Sequence, residues 1–198
     1  MAKLLHFIGN LLIFIAASIL VLTFTRPVKE EVEYDIRKTF KLDYPEKVLT
    51  PPNQDFSIVI PKIGAVAPVI ADVDSQDPKA YLPALYKGVA HAKGTALPGQ
   101  FGNTYIFAHS TDAFYNVGRY NAVFYLLGKL ERGDKIDIYY KGEKIVYEVT
   151  DKKVVESDDV KYLGKLGEWN TLTLQTCYPP GTTLKRLVVV ANQTNQKI

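Results

Sequence analysis

The sequence predicts a mostly all-β fold of about eight short strands, in a barrel or sandwich, behind one N-terminal membrane-spanning helix. Three observations lead there. From Asp55 onward, short β-rich runs alternate with turn residues at close spacing. The 13 Tyr and 9 Phe, with Val, Ile and Thr plentiful in the second half, suit pleated, half-buried surfaces. One long run without charge, Leu4–Phe24, stands at the N-terminus.

Leu4–Phe24 contains no Asp, Glu, Lys or Arg, and His6 and Asn10 are its only strongly polar members. At helical rise it extends roughly 30 Å, enough for a bilayer core. A cleaved leader has a shorter apolar region and a small-x-small site, and Leu22-Thr23-Phe24-Thr25-Arg26 offers none. Residues 1–25 are therefore expected to be a cytoplasmic tip and single-pass anchor. Lys3 on one side and Arg26 and Lys29 on the other leave orientation open, because acidic residues count little. Residues 26–54 read as a juxtamembrane linker. Val28, Val32, Ile36 and Phe40 recur every four residues, and Glu33 and Arg37 are an i, i+4 pair, so a short helix is expected before Pro45, Pro51 and Pro52.

Residues 55–198 form the expected folded domain. Strands are predicted at Phe56–Ile60, Val66–Ile70, Asn103–His109, Lys135–Tyr140, Lys144–Val155, Thr171–Cys177 and Arg186–Gln193. Short helices are predicted at Asp77–Tyr86, Tyr120–Leu130 and Asp158–Leu166, and Lys141-Gly142-Glu143 signals a hairpin. With 24 basic and 21 acidic residues, no basic run and no repeat in 198 residues, the chain lacks the electrostatic footprint of a nucleic-acid binder.

The single cysteine, Cys177, cannot form an intrachain disulfide and is a candidate nucleophile. In Thr171–Cys177, Leu172, Leu174 and Thr176 point one way, and Thr171, Thr173, Gln175 and Cys177 the other. The thiol thus lies on the polar face at a strand end rather than in the Leu stripe. A thiol needs a partner to become a thiolate at neutral pH. His91 and His109 are both available, each reads as structural when taken alone, and spacing does not choose between them. Arg186 opens the next strand, where a hairpin would return it toward Cys177; by itself it reads as an ordinary strand-start Arg. Glu156, Asp158 and Asp159 read as a solvated acidic loop, because calcium needs more oxygen ligands than these supply. No cofactor or metal is expected.

These residues resemble the sortase family. Thr173-Leu174-Gln175-Thr176-Cys177 is similar to its Thr-Leu-x-Thr-Cys signature, with Arg186 at the place of the family's arginine. Gly88-Val89-Ala90-His91, Gly94-Thr95, Pro98-Gly99 and Gly102-Asn103, leading to Ala108-His109, resemble the block that ends in the catalytic histidine. Ile60-Pro61-Lys62-Ile63 and Ala67-Pro68-Val69 resemble its opening strands, so the likeness runs over about residues 56–193. Ala108 stands where Gly is common and Ser110 where Arg is frequent, which blurs the subclass.

The resemblance implies a closed eight-stranded barrel and a catalytic set of His109, Cys177 and Arg186, with His91 non-catalytic. It implies a membrane-anchored transpeptidase with its domain outside the cell. Such an enzyme cleaves a Leu-Pro-x-Thr-Gly-like sorting signal on exported proteins and passes the acyl group to an amine at the cell surface, from a wall precursor or a pilin lysine. The alternatives are a membrane-tethered, non-catalytic β-domain that binds a partner, and a cysteine peptidase that only hydrolyses.

Overall fold

The computed structural model describes residues 2–42, 49–110, 122–164 and 170–194. Eight strands close into a barrel: β1 (Phe56–Ile60), β2 (Ala65–Val73), β3 (Val89–Ala92), β4 (Asn103–Phe107), β5 (Lys135–Tyr140), β6 (Glu143–Glu156), β7 (Thr171–Tyr178) and β8 (Lys185–Gln193). Their order around the barrel is β1-β2-β3-β4-β7-β8-β6-β5. Two neighbouring pairs, β2/β3 and β4/β7, are parallel and the rest antiparallel. Ile58, Ile60, Ile106, Ile136, Ile138, Tyr147, Leu172, Leu174 and Val189 are all fully buried, so the barrel is a packed core and not a channel.

Local chemistry accounts for the connections. Lys141 and Gly142, both at positive φ (50° and 83°), make the two-residue loop that pairs Tyr140 with Glu143. That backbone twist matches the twist of the flanking strands. The parallel β2-to-β3 step needs a crossover, supplied by α2 (Pro78–Lys87). The Asp77 side chain caps its start by accepting from the Lys79 N–H, and Pro78 opens it. Gly88 ends it against β2, where a Cβ would lie 2.2 Å from the Pro68 carbonyl oxygen, so no larger residue fits without a backbone shift.

Several expectations needed correction. Val89–Ala92, which carries no strand signal of its own, is β3; four residues are too short for periodicity, and its pairing on both sides makes it a strand. Tyr120–Leu130 holds only a 3-10 turn at Tyr125–Lys129, its first two residues lying outside the described ones. Asp158–Leu166 likewise holds only Lys161–Leu163, with its last two residues outside. The predicted strand through His109 ends at Phe107.

The N-terminal part is one continuous helix, α1 (Ala2–Phe40), so residues 26–40 extend the helix of the uncharged run instead of forming a separate one. Its Val32, Ile36 and Phe40 are exposed, so the four-residue apolar repeat does not face the barrel. The docking face carries Tyr34, 5% exposed, and Glu31, which pairs with Lys129. The Lys129 ammonium also lies 5.2 Å from the centre of the Tyr34 ring. Among the described residues no helix is long and apolar enough to cross a membrane. The side chains at 19–28, within or just beyond the uncharged run, lie outside those described.

Candidate active site

Three adjacent strands, β4, β7 and β8, bring the expected site residues to one rim of the barrel. β4 and β7 run parallel in the register Asn103↔Thr171 through Phe107↔Gln175. The ladder continues one step further: the Ala108 N–H donates to the Gln175 carbonyl (3.1 Å), and the Thr176 hydroxyl to the Ala108 carbonyl (2.9 Å). One more step along each chain sets His109 level with Cys177. On the other side β8 is antiparallel, and Arg186 is the register partner of Cys177. Directly opposed antiparallel residues share a face, with Cβ atoms about 5 Å apart. The thiol is therefore opposed by Arg186 on β8, while His109 follows the end of β4 on the other side of β7. All three residues are half-buried, as groups that must meet a solute have to be.

The Arg186 guanidinium is held by the β7–β8 turn. Its Nη1 donates to the carbonyls of Thr183 and Lys185, each at 3.1 Å. Guanidinium carries five N–H donors, so these two bonds do not exhaust its capacity.

The face of β7 that bears Cys177 is not the solvated face the alternation suggested. Thr173 is 0% exposed, and the side chain of Asn103 explains why. Its Oδ1 accepts from the Thr171 and Thr173 hydroxyls (3.0 and 2.9 Å), and its Nδ2 donates to the Tyr162 carbonyl (2.7 Å). This buried network ties the Lys161–Leu163 turn over β4 and β7, and only the last residues of β7 emerge. Further along the same face, the Tyr105 hydroxyl donates to Gln175 Oε1. The ring of Phe107 meets that of Tyr81 on α2, centroids 6.4 Å apart. The sequence marks Asn103 only as part of the family-like block and does not mark Tyr105, because the roles of both depend on the β4/β7 register, which leaves no local signal.

His91 has a different place. It pairs with Ile106 on the interior side and is 2% exposed. Its Nδ1 accepts from the Asp72 N–H (3.2 Å). The Thr95 hydroxyl gives its one proton to the Ala92 carbonyl (2.7 Å), so at 2.9 Å from His91 Nε2 it is the acceptor. Nε2–H thus donates to Thr95 and toward the Ala96 carbonyl (3.2 Å), which selects the neutral Nε2–H tautomer. Burial lowers the His91 pKa, opposed by the Ala96 hydrogen bond and the Asp72 charge.

In the acidic loop, Glu156 pairs with Lys185 (2.9 Å) and Asp159 with Lys161 (2.6 Å), so lysines neutralise two of its three carboxylates. Among the described residues no group of His, Cys, Asp and Glu is arranged to hold a metal.

Fold and rim together give a closed β-barrel with a half-buried cysteine at a strand end, an arginine opposite it on β8, and a half-buried histidine just past the end of β4. The family model of the sortase domain matches residues 58–194, and the chain belongs to the sortase family, whose members are cysteine transpeptidases. It is 30% identical to Sortase D of Bacillus subtilis (strain 168) over 133 residues, 66% of this chain and 59% of that protein. The chain thus spans about three-fifths of the length of this curated relative. Among solved structures it resembles a lid mutant of Sortase A from Corynebacterium diphtheriae, with TM-score 0.60, 30% identity, and 73% and 72% of the two chains covered. It also resembles the pilus-related Sortase C of Group B Streptococcus, with TM-score 0.60, 32% identity, and 75% and 71% covered.

Proposed function

We propose that this chain is a membrane-anchored transpeptidase that cuts a Leu-Pro-x-Thr-Gly-like signal and joins the acyl part to an amine. The observation that carries the reading is the direct register of Arg186 with Cys177, with His109 two residues past the end of β4, the strand that pairs with β7. The Cys177 thiolate attacks the scissile carbonyl carbon. A C–S bond forms, and the oxygen takes up negative charge, which the Arg186 guanidinium meets. The C–N bond then breaks, and His109 gives its proton to the departing amine. This leaves a thioester. An incoming amine loses a proton to His109, attacks the thioester and expels the thiolate, so protons and electron pairs balance over the cycle.

Membrane attachment through α1 is part of the proposal. Support comes from the uncharged run Leu4–Phe24 and from the outward-facing apolar side chains within it, Phe14 being 71% exposed. With the domain outside the cell, enzyme, exported substrate and acceptor would share one surface, which raises their effective concentration.

The test incubates the full chain with Leu-Pro-x-Thr-Gly peptides and a panel of amines, read by mass spectrometry. A thioacyl adduct on Cys177 with amine-dependent conjugate is expected. Free acid as the sole product across the panel would mean a hydrolytic peptidase, and no adduct with any peptide would mean a binding module.

A further inference from the structure

We propose that Gln175 is a peptide-positioning residue: its side-chain amide N–H groups, left facing the rim by the contact of its Oε1 with Tyr105, bind a backbone carbonyl of the peptide being cut. The inference rests on the acyl-transfer reading above and concerns how that site holds its peptide.

Position comes first. Gln175 lies two residues before Cys177 on the same face of β7, about 7 Å along the strand. An extended peptide advances by a similar length over two residues. A peptide lying along β7 with its scissile carbonyl at Cys177 therefore sets another carbonyl over Gln175.

Orientation comes second. A glutamine amide can present either its oxygen or its nitrogen, and here the oxygen faces the Tyr105 hydroxyl. The phenol is 3% exposed, and its hydroxyl donates to Gln175 Oε1. Burial pushes the Tyr105 pKa up, opposed by Arg186 and reinforced by Asp159, so the hydroxyl keeps its proton and is able to donate. With Oε1 occupied, Nε2 is turned away from Tyr105. No hydrogen bond to Nε2 is found among the described residues, and Gln175 is half-buried at the rim. Tyr105 is itself fixed, since its N–H donates to Thr95 Oγ1 (3.3 Å) and its backbone pairs with Thr173. The pair is a preset donor beside the nucleophile. A peptide whose carbonyl at this place is made a poorer acceptor leaves the donor underpaired and reacts more slowly.

The competing role is structural, a Tyr–Gln staple that only joins β4 to β7. Thioamide scanning separates the two, because a thiocarbonyl is a poorer acceptor of nearly unchanged shape. Wild type, Gln175→Met, Tyr105→Phe and the double variant, all as full chains, are given Leu-Pro-x-Thr-Gly peptides. Each peptide carries one backbone thioamide, the scissile carbonyl excepted. Initial rates of thioacyl adduct on Cys177 are measured at low peptide concentration, with alkylation by iodoacetamide reporting the integrity of the thiol.

Wild type should react about tenfold more slowly with one thioamide peptide than with its oxygen counterpart. Gln175→Met should lose that discrimination while alkylating at the wild-type rate. Tyr105→Phe should lose part of it, and the double variant should match Gln175→Met alone. Discrimination retained in Gln175→Met overturns the proposal. So does an equal loss on every peptide with slowed alkylation, which is the signature of the staple. Adduct formation without discrimination in wild type sinks the Gln175 assignment alone, whereas no adduct on any peptide sinks the acyl-transfer reading with it.

Discussion

His91 and His109 stand at the same level of the sequence argument: each closes an apolar run, and each lies in the half of the domain before Cys177. In the barrel they occupy opposite situations. His91 is on the interior side, with both ring nitrogens bonded and its neutral form favoured by burial. His109 lies just past the end of β4, half-exposed, at the step that matches Cys177. A histidine becomes a proton carrier by keeping access to a reacting group, and a structural member when backbone and hydroxyl partners use up its capacity.

The sharpest way to break this contrast is at the thiol. Cys177→Ala should abolish adduct and conjugate, because the chain holds no second cysteine. Residual amine-dependent product would remove the thiol from the mechanism. Next in size, His109→Ala and Arg186→Ala should each lower kcat/KM by about a thousandfold or more, as members of one catalytic unit do. His91→Gln, assayed on folded protein, should cost less than about tenfold; a loss equal to that of His109→Ala would reverse the assignment.

A smaller effect concerns stability against pH. The folded pKa of His91 lies below its ordinary 6.5, so between the two values the unfolded chain binds more protons. The His91 contribution is fully present above 6.5 and is lost as pH falls from there through the lower folded value. Urea unfolding at about pH 7.5 and about pH 5.0 should show a smaller acid-induced loss in His91→Gln than in wild type. Equal losses would show that His91 does not titrate differently on folding. The smallest effect is expected from Thr95→Val, which removes the acceptor for His91 Nε2–H but leaves the Ala96 carbonyl. It should cost about 1 kcal/mol in urea unfolding with little change in kcat.

Much of the fold is legible in the sequence alone. The β5–β6 hairpin follows from Lys141-Gly142, and α2 from Asp77-Pro78 at its start, because those signals act over a few residues. The short strand β3 is not legible, since its pairing partners lie on β2 and β4. The docking face of α1 misleads for a related reason. The apolar repeat Val32, Ile36, Phe40 suggests one buried stripe, but contacts with Lys129 choose the face of Glu31 and Tyr34.

The sequence by itself determined the β-rich class, the identity of the single thiol and its place at a strand end, and its family likeness points to His109, Cys177 and Arg186 as the set to test. Each depends on residue type or on spacing within one segment. Only the tertiary structure decided which side chains stand together across strands. It set Arg186 opposite Cys177, sealed Thr171 and Thr173 beneath Asn103, closed both nitrogens of His91, and aimed the Gln175 amide with Tyr105. These follow from strand register, which long-range packing of the whole barrel selects and which no single segment encodes.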